Sequence, residues 1–480
     1  MAASTLFLSS ALPKPSYFQF YPLRSPPSSP LCLTPHLRSY KFRKFNCCLT
    51  VKSSNDEATS SAGTANRAPD SLRVVFAAGG TGGHIIPAIA IADELKLTNP
   101  TSKILFIGCP DSMESAGISS AGFNFAPIRA VQLVQPFMSP RNLFLPYRLI
   151  KSIFKSYKLL QDFKPHIVIG TGGYVSFPVC VAAALMKIKV VIQEQNSVPG
   201  IANWVLSFFA DVVFVAFNST IECFPRKEKC LVCGNPVRLS LRGCVPKAEA
   251  RLNFFPRLKE MEDSDEVKVV LVLGGSLGAN AINITLLNLY YQMLLEHKNW
   301  FIIWQTGVES FNEMESLVKN HTQLLLTPFL HPMDLAYAAA DLIVSRAGAM
   351  TCSEILATGK PSILIPSPNA EEGHQFRNAS LMADVAGSRV ITEDELDSTT
   401  LGTAIEELLG NESLMADMSE RALKAAKPDA SAEIAKQVSP SKRKLKSIMD
   451  VRIEGQYVLT QGSTSASDLA LKCLELVDSN

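Results

Sequence analysis

Three groups of residues in this chain have the types and spacing to do chemistry. The first is Gly79-Gly-Thr-Gly-Gly-His84, in which His84 closes a glycine string broken by Thr81. An apolar run precedes the string and Pro87 follows it, which predicts a strand, a turn and a helix with Pro87 in its first turn. Backbone N–H groups at such a turn face open space and favour a phosphate or another anion, and glycine lets the anion come close. His84 is the titratable side chain of this loop and so the candidate proton acceptor. A lone histidine reads more plainly as a hydrogen-bonded surface group, but a place at the mouth of a glycine nest favours the functional reading. The second group is Arg346-Ala-Gly-Ala-Met-Thr-Cys-Ser-Glu354. Met350 and Thr351 would present N–H groups at a helix start, and Glu354, one turn in, could accept from ribose hydroxyls. Alone, Glu354 reads as a first-turn acid favoured by the helix dipole; the Gly-Ala-Met-Thr turn before it changes that reading. The third is Gly234-Asn-Pro-Val-Arg238, where Arg238 supplies a fixed positive charge suited to a diphosphate.

These groups need a scaffold, and hydrophobic periodicity outlines one. Lys103-Ile-Leu-Phe-Ile-Gly108, Pro165-His-Ile-Val-Ile-Gly170, Lys189-Val-Val-Ile-Gln193 and residues 212–215 read as buried strands. Helices are predicted over residues 88–97, 179–186 and about 202–209. Strands alternating with helices imply a parallel, doubly wound sheet with ligands at the carboxyl ends of its strands. The loops at 79–84, 172–176 and 194–196 then share one rim. One domain length on, Val269-Val-Leu-Val-Leu-Gly274-Gly-Ser-Leu-Gly-Ala279 repeats the opening pattern. Phe301-Ile-Ile-Trp304, Leu324-Leu-Leu-Thr-Pro-Phe329, Asp341-Leu-Ile-Val-Ser345 and Pro361-Ser-Ile-Leu-Ile-Pro366 continue it as strands, and a helix follows His374-Gln375. The expected fold is α/β: two Rossmann-like, doubly wound parallel-sheet domains, residues 71–236 and 237–438, facing each other across a cleft. That arrangement suits a nucleotide-sugar transferase, with acceptor on one domain and donor on the other.

The flanks differ in composition. Residues 1–55 contain no Asp or Glu, are rich in Ser and Pro, and carry Lys14, Arg24, Arg38, Lys41, Arg43, Lys44 and Lys52. This is the pattern of an organelle transit peptide, here of plastid type, with residues 56–70 as a polar linker. Residues 439–480, Lys/Arg-rich and then serine-rich, form an unassigned extension. A net charge of +2 gives no bulk argument for nucleic acid, and no apolar run reaches the length of a spanning helix. Cys230 and Cys233 have C-x-x-C spacing but no second pair at zinc-site spacing, so they read as strand residues, not as a metal or redox site. Residues 136–164 interleave Phe137, Phe144, Tyr147, Ile150 and Phe154 with Arg148, Lys151, Lys155 and Lys158. Such a surface suits peripheral contact with an anionic bilayer, unless its apolar side chains face the core of the first domain.

Seven motifs in fixed order carry a resemblance: Gly79-Gly-Thr-Gly-Gly-His84, Gly172-Gly-Tyr-Val-Ser176, Glu194-Gln-Asn196, Gly234-Asn-Pro-Val-Arg238, Gly274-Gly-Ser-Leu-Gly-Ala279, the stretch from Arg346 to Glu354, and His374-Gln375. Over residues 72–438 the chain closely resembles the bacterial-type lipid II synthases of glycosyltransferase family 28. The resemblance implies a GT-B fold and inverting transfer of N-acetylglucosamine from UDP-N-acetylglucosamine to the muramyl 4-hydroxyl of lipid I, a lipid-linked diphosphate of peptidoglycan synthesis. It implies donor contacts at Thr81, Gly82, Gly83, Asn196, Arg238, Ser276, Leu330, Ala349, Met350, Thr351, Cys352, Ser353, Glu354 and Gln375. Gly79, Gly80, Gly172, Gly173 and Tyr174 would hold the acceptor diphosphate. His84 is the candidate base and Glu194 the reserve. No cofactor or bound metal is expected, because a helix dipole and an arginine can stabilise the leaving diphosphate. A lipid-linked acceptor implies peripheral membrane association, on a plastid membrane if the presequence is read correctly.

The chain departs from the family in its presequence, in its extension, and in residues 130–142, which lack the family's glycine-rich loop near the acceptor. A plastid galactolipid synthase, using UDP-galactose and diacylglycerol, is the nearest alternative; Glu194-Gln-Asn196 and Gly172-Gly-Tyr174 argue against it. A dinucleotide-dependent oxidoreductase fails because Ile85 stands where its fingerprint needs the third glycine. A relative that binds without turnover is the third alternative.

Overall fold

The computed structural model describes residues 71–80, 82–110, 113–129, 143–243, 245–260, 266–370 and 373–439. Seven parallel strands form the first sheet: β1 (Arg73–Ala77), β2 (Lys103–Gly108), β3 (Asn124–Pro127), β4 (Ile167–Gly170), β5 (Lys189–Glu194), β6 (Val212–Val215) and β7 (Cys230–Val232). Six more form the second: β8 (Lys268–Leu273), β9 (Trp300–Gln305), β10 (Leu324–Thr327), β11 (Leu342–Ser345), β12 (Ser362–Leu364) and β13 (Arg389–Val390). Their orders are β3-β2-β1-β4-β5-β6-β7 and β10-β9-β8-β11-β12-β13, so the repeat seen in sequence is also a repeat of topology.

Both faces of each sheet are covered, which is why the strands are nearly continuous apolar runs. Val74 and Phe76 of β1 enter one core with Ile91 and Leu95, while Val75 and Ala77 enter another with Val175 and Val179. Val269 and Leu271 of β8 divide from Val270 and Val272 in the same way. The expected second domain runs to residue 438, yet the helix Ala430–Val438 packs Ile434, Ala435 and Val438 into the first domain's core. Arg242 strengthens this return, with Nη1 on Glu94 Oε2 at 2.9 Å and Nη2 on Ser431 Oγ at 2.7 Å.

Two helix starts differ from expectation. The helix after the first glycine string is Gly82–Thr98, so Pro87 lies in its second turn and not its first. The helix after β4 is Gly173–Leu185 and not 179–186, with Pro178 inside it. Each proline only fails to donate to the carbonyl four residues back, Gly83 or Tyr174, which lies in the opening turn. The proline therefore does not mark where either helix begins. The helix predicted over about 202–209 is the shorter Ile201–Leu206. Cys230, Cys233, Cys180 and Cys352 are buried. Burial pushes the thiols of Cys180, Cys233 and Cys352 up to about 12, so they stay protonated at neutral pH.

Candidate active site

In each sheet the strand order reverses beside the first strand, between β1 and β4 and between β8 and β11. A crevice opens at such a switch point, outside the carboxyl ends of the strands. The loops leaving β1 and β4 are the two glycine strings of the first domain. Gly172 and Gly173 have φ of 103° and 77°, a region side chains avoid. A Cβ on Gly173 would overlap the Gly79 carbonyl, and one on Gly172 would come within 2.7 Å of His84 Nδ1. The two loops thus touch through backbone that only glycine can supply.

The half-buried His84 sits where they touch. Its Nδ1 lies 3.0 Å from the Thr171 carbonyl oxygen and 3.2 Å from Gln195 Oε1. A carbonyl only accepts, so Nδ1 carries the proton and Nε2 holds the lone pair. Among the described residues Nε2 has no hydrogen-bond partner. Thr171 Oγ1 donates to the His84 carbonyl at 2.7 Å, clamping the helix start from the other side. The Tyr174 ring lies against Gly80, within 3.2 Å of where a Cβ would stand. Gly82 and Gly83 open the helix, and Thr81 lies outside the described residues.

Glu194 does not fit its expected role as reserve base. Its buried carboxylate accepts from Asn196 N and Nδ2 at 2.9 and 3.1 Å, from Gly200 N at 3.2 Å and from Asn203 Nδ2 at 2.8 Å. Four donors, three from the loop after β5 and one from the helix Ile201–Leu206, order this turn and hold the carboxylate there. Asn196 is held in that turn, and its carbonyl accepts from Thr220 Oγ1 at 3.2 Å.

In the second domain β11 runs into the helix Ala349–Thr358, capped by Gly348 in extended geometry. Ala349, Met350 and Cys352 are buried, so this helix start offers backbone N–H groups rather than those side chains. Thr351 is half-buried. Glu354 is buried and forms an ion pair with Arg238, and its Oε2 accepts from the Tyr337 hydroxyl at 3.0 Å. Burial pushes the Glu354 carboxyl above the usual range, while the Arg238 guanidinium opposes that shift. Burial, together with the Glu354 charge, pushes the Tyr337 phenol well above its ordinary value. Two residues expected to contact donor are thus already bonded to each other across the hinge. Leu330 N–H donates to Gln305 Oε1 at 3.0 Å, and Gln375 Oε1 accepts from Ser367 N at 2.9 Å. Ser276 is half-exposed in the loop after β8, its carbonyl accepting from Val308 N at 3.1 Å. A cavity of about 520 Å³ opens beside that loop, lined by Gly278, Ser310, Arg346 and Glu393 among others.

Buried side chains join the two rims. Asn235 Nδ2 reaches both the Gln195 carbonyl and Ser353 Oγ at 2.9 Å. Asn378 Oδ1 accepts from Ser197 Oγ at 3.2 Å, and its Nδ2 donates to the Ala347 carbonyl at 3.2 Å. Sequence reasoning assigned no role to Gln193, Gln195, Asn235, Tyr337 or Asn378. The available signal was an amide at the end of an apolar run, as Gln193 is within β5.

Two parallel-sheet domains whose glycine loops and helix starts converge across a hinge define a GT-B glycosyltransferase. The family models agree: the glycosyltransferase family 28 N-terminal domain matches residues 74–215 and the family 28 C-terminal domain matches residues 269–434. A UDP-N-acetylglucosamine–N-acetylmuramyl-(pentapeptide) pyrophosphoryl-undecaprenol N-acetylglucosamine transferase from Christiangramia forsetii is 40% identical over 369 residues, 77% of this chain and 97% of that protein. The protein of the same name from Flavobacterium psychrophilum is 38% identical over 376 residues, again 77% of this chain and 97% of its own length. The crystal structure of Acinetobacter baumannii MurG superposes with a TM-score of 0.58 at 27% identity, covering 77% of this chain and 99% of that one. The Staphylococcus aureus MnaA–UDP complex, at 14% identity and a TM-score of 0.55, shares the fold. This chain belongs to glycosyltransferase family 28.

Proposed function

We propose that this protein is an inverting N-acetylglucosaminyltransferase that moves N-acetylglucosamine from UDP-N-acetylglucosamine to the 4-hydroxyl of a lipid-linked N-acetylmuramyl diphosphate. The acceptor oxygen forms a bond to the anomeric carbon as the bond from that carbon to UDP breaks. UDP leaves with the bonding electrons, and the hydroxyl proton passes to His84 Nε2. The observation that carries this reading is the His84 cradle: Nδ1 is committed to the Thr171 carbonyl, so Nε2 is the basic nitrogen. The N–H groups opening Ala349–Thr358 and the Arg238 charge are placed to stabilise the leaving diphosphate. Glu354 takes the ribose hydroxyls while Tyr337 and Arg238 hold its carboxylate. Gly79, Gly80, Gly172 and Gly173 bring backbone close to the acceptor diphosphate. Incubation with radiolabelled UDP-N-acetylglucosamine and a lipid I analogue, with UDP-galactose and diacylglycerol in parallel, tests it. Label on the lipid I analogue alone is the expected result, and label only on diacylglycerol would reverse it.

The acceptor's lipid places the enzyme at a membrane surface. No described helix is long and apolar enough to cross a membrane. Contact is peripheral, through the helix Leu145–Phe163. Ser152, Ser156 and Leu160 form its buried face, whereas Leu143, Phe144, Tyr147, Ile150 and Phe154 are 60–76% exposed beside Arg148 and Lys151. Ile153, Leu159 and Phe163 pack on the core, so the apolar residues of this stretch divide between core and surface. Phe137, Met138 and Arg141 lie outside the described residues. The acid-free composition of residues 1–55 supports plastid import; a fluorescent fusion of that segment should enter plastids, and cytosolic fluorescence would remove the proposal.

A further inference from the structure

The polar side chains between His84 and the helix Ala349–Thr358 form a chain with one direction. His84 Nδ1 faces Gln195 Oε1 at 3.2 Å, and Gln195 Nε2 donates to Gln193 Oε1. Gln193 Nε2 donates to Asn235 Oδ1 at 3.0 Å, and Asn235 Nδ2 donates to Ser353 Oγ at 2.9 Å. Ser353 Oγ then donates to the Ala349 carbonyl at 2.9 Å, in the first turn of the second domain's helix. All three amides are buried, at 0%, 2% and 4% exposure for Gln193, Gln195 and Asn235. Each step is head to tail: an amide N–H₂ meets the next residue's oxygen.

The direction is not arbitrary, because backbone carbonyls accept and never donate. The Thr171 carbonyl takes both His84 Nδ1 and Gln195 Nε2, the latter at 2.7 Å. The Gln193 carbonyl takes Gln195 Nε2 at 3.3 Å, and the Gln195 carbonyl takes Asn235 Nδ2 at 2.9 Å. Turning over any one amide would set two donors or two acceptors against each other where water cannot satisfy them. The chain carries no charge, and amides at neutral pH pass no proton along it. What it transmits is orientation.

We propose that Gln195, Gln193 and Asn235 are positioning residues that act as one polarised relay, backing the Thr171 carbonyl that sets the His84 Nδ1–H tautomer and tying the ring to the nucleoside-diphosphate helix of the other domain. The relay spans the hinge, with His84 and Gln195 on the first domain's rim and Ser353 on the second domain's helix. Occupancy of that helix by a diphosphate is therefore felt at the His84 ring through buried bonds. The catalytic consequence rests on the reading of His84 as base, and the coupling rests on that helix as the UDP site; the tautomer rests on neither.

The test is nitrogen NMR of the full chain with ring-¹⁵N-labelled histidine, using UDP as the probe. His84→Gln identifies the His84 signals among the seven histidines. The unmodified protein should show the Nδ1–H tautomer, and UDP should move its ring shifts. Gln195→Met should keep that tautomer, which the Thr171 carbonyl sets, yet abolish the response to UDP and lower kcat about tenfold with the donor KM within about twofold. Gln193→Met, which touches neither His84 nor donor, should abolish the response to UDP. An Nε2–H tautomer in the unmodified protein, or a retained UDP response in Gln195→Met or in Gln193→Met, would each overturn the relay. Where a variant does not fold, the unmodified protein decides: no movement of the His84 shifts at UDP concentrations that calorimetry shows to saturate the protein ends the proposal, whereas no binding of UDP at all removes the donor-site reading instead. Turnover surviving in His84→Ala would instead remove the base assignment and leave the spectra to judge the relay.

Discussion

His84 in the first domain and Glu354 in the second each stand in the opening turns of a helix that follows a glycine turn, and they are held by opposite means. Among the described residues His84 meets only neutral partners, the Thr171 carbonyl and the Gln195 amide. Glu354 is buried against the Arg238 guanidinium, with the Tyr337 hydroxyl on its other oxygen. A neutral cradle lets a group gain and lose a proton without stranding a buried counter-charge. An ion pair in a dry site does the reverse: removing one partner leaves the other uncompensated, so the charge stays in place. The first arrangement suits a side chain that must change state in each turnover. The second suits one that must present the same charge to every donor molecule.

The strongest way to break this contrast is His84→Ala. Loss of a general base should lower kcat roughly 100- to 10,000-fold with donor affinity near that of the parent. Steady-state kinetics showing less than about a threefold drop would take the role away from His84. A half-buried charge away from the site sharpens the other half of the comparison. Burial lowers Lys360 from 10.5 to about 8, with Lys247 adding to the effect, although its Nζ donates to the Ala340 carbonyl at 2.8 Å. Between about pH 8 and 10.5 the unfolded chain holds a proton that the folded protein has lost, so stability should rise with pH across that window. The rise from this group is on the order of 3 kcal/mol at most. Denaturant titrations across this window should show it in the parent and not in Lys360→Met; equal slopes would contradict it.

Glu354→Ala should act on the donor rather than on the chemical step, at about 1.5–3 kcal/mol of UDP binding. Calorimetry finding the same affinity would show that the ion pair is structural only. The smallest effect is expected at the membrane face. Phe144→Ser, Arg148→Glu and Lys151→Glu together should weaken co-sedimentation with anionic liposomes, each basic residue being worth about 1 kcal/mol near such a surface. Thermal stability should hardly change, because all three side chains are exposed. Undiminished sedimentation would move the contact elsewhere.

Much of the site was legible before the fold. Strand-glycine-helix junctions place His84 and the stretch from Gly348 to Glu354, since glycine strings and apolar runs are local and each leaves its mark within a few residues. Glu194, the last residue of β5, carries no such mark: its spacing says nothing about the four donors that Asn196, Gly200 and Asn203 turn upon it. Nor does any local signal pair Arg238 with Glu354 or bring Tyr337 to the same carboxylate. Gln193 was visible only as a polar residue ending an apolar strand, a position that fits solvent as well as a buried network.

The amino-acid order was enough to specify two parallel sheets, their repeated pattern and the turns that bare backbone N–H groups, because periodicity and glycine act over one element at a time. Which nitrogen of His84 carries the proton, which side chains meet Glu354, and which domain the helix Ala430–Val438 completes were settled only when distant segments met. Those outcomes depend on hydrogen bonds and burial between residues far apart in the chain, and such contacts have no period for a sequence to show.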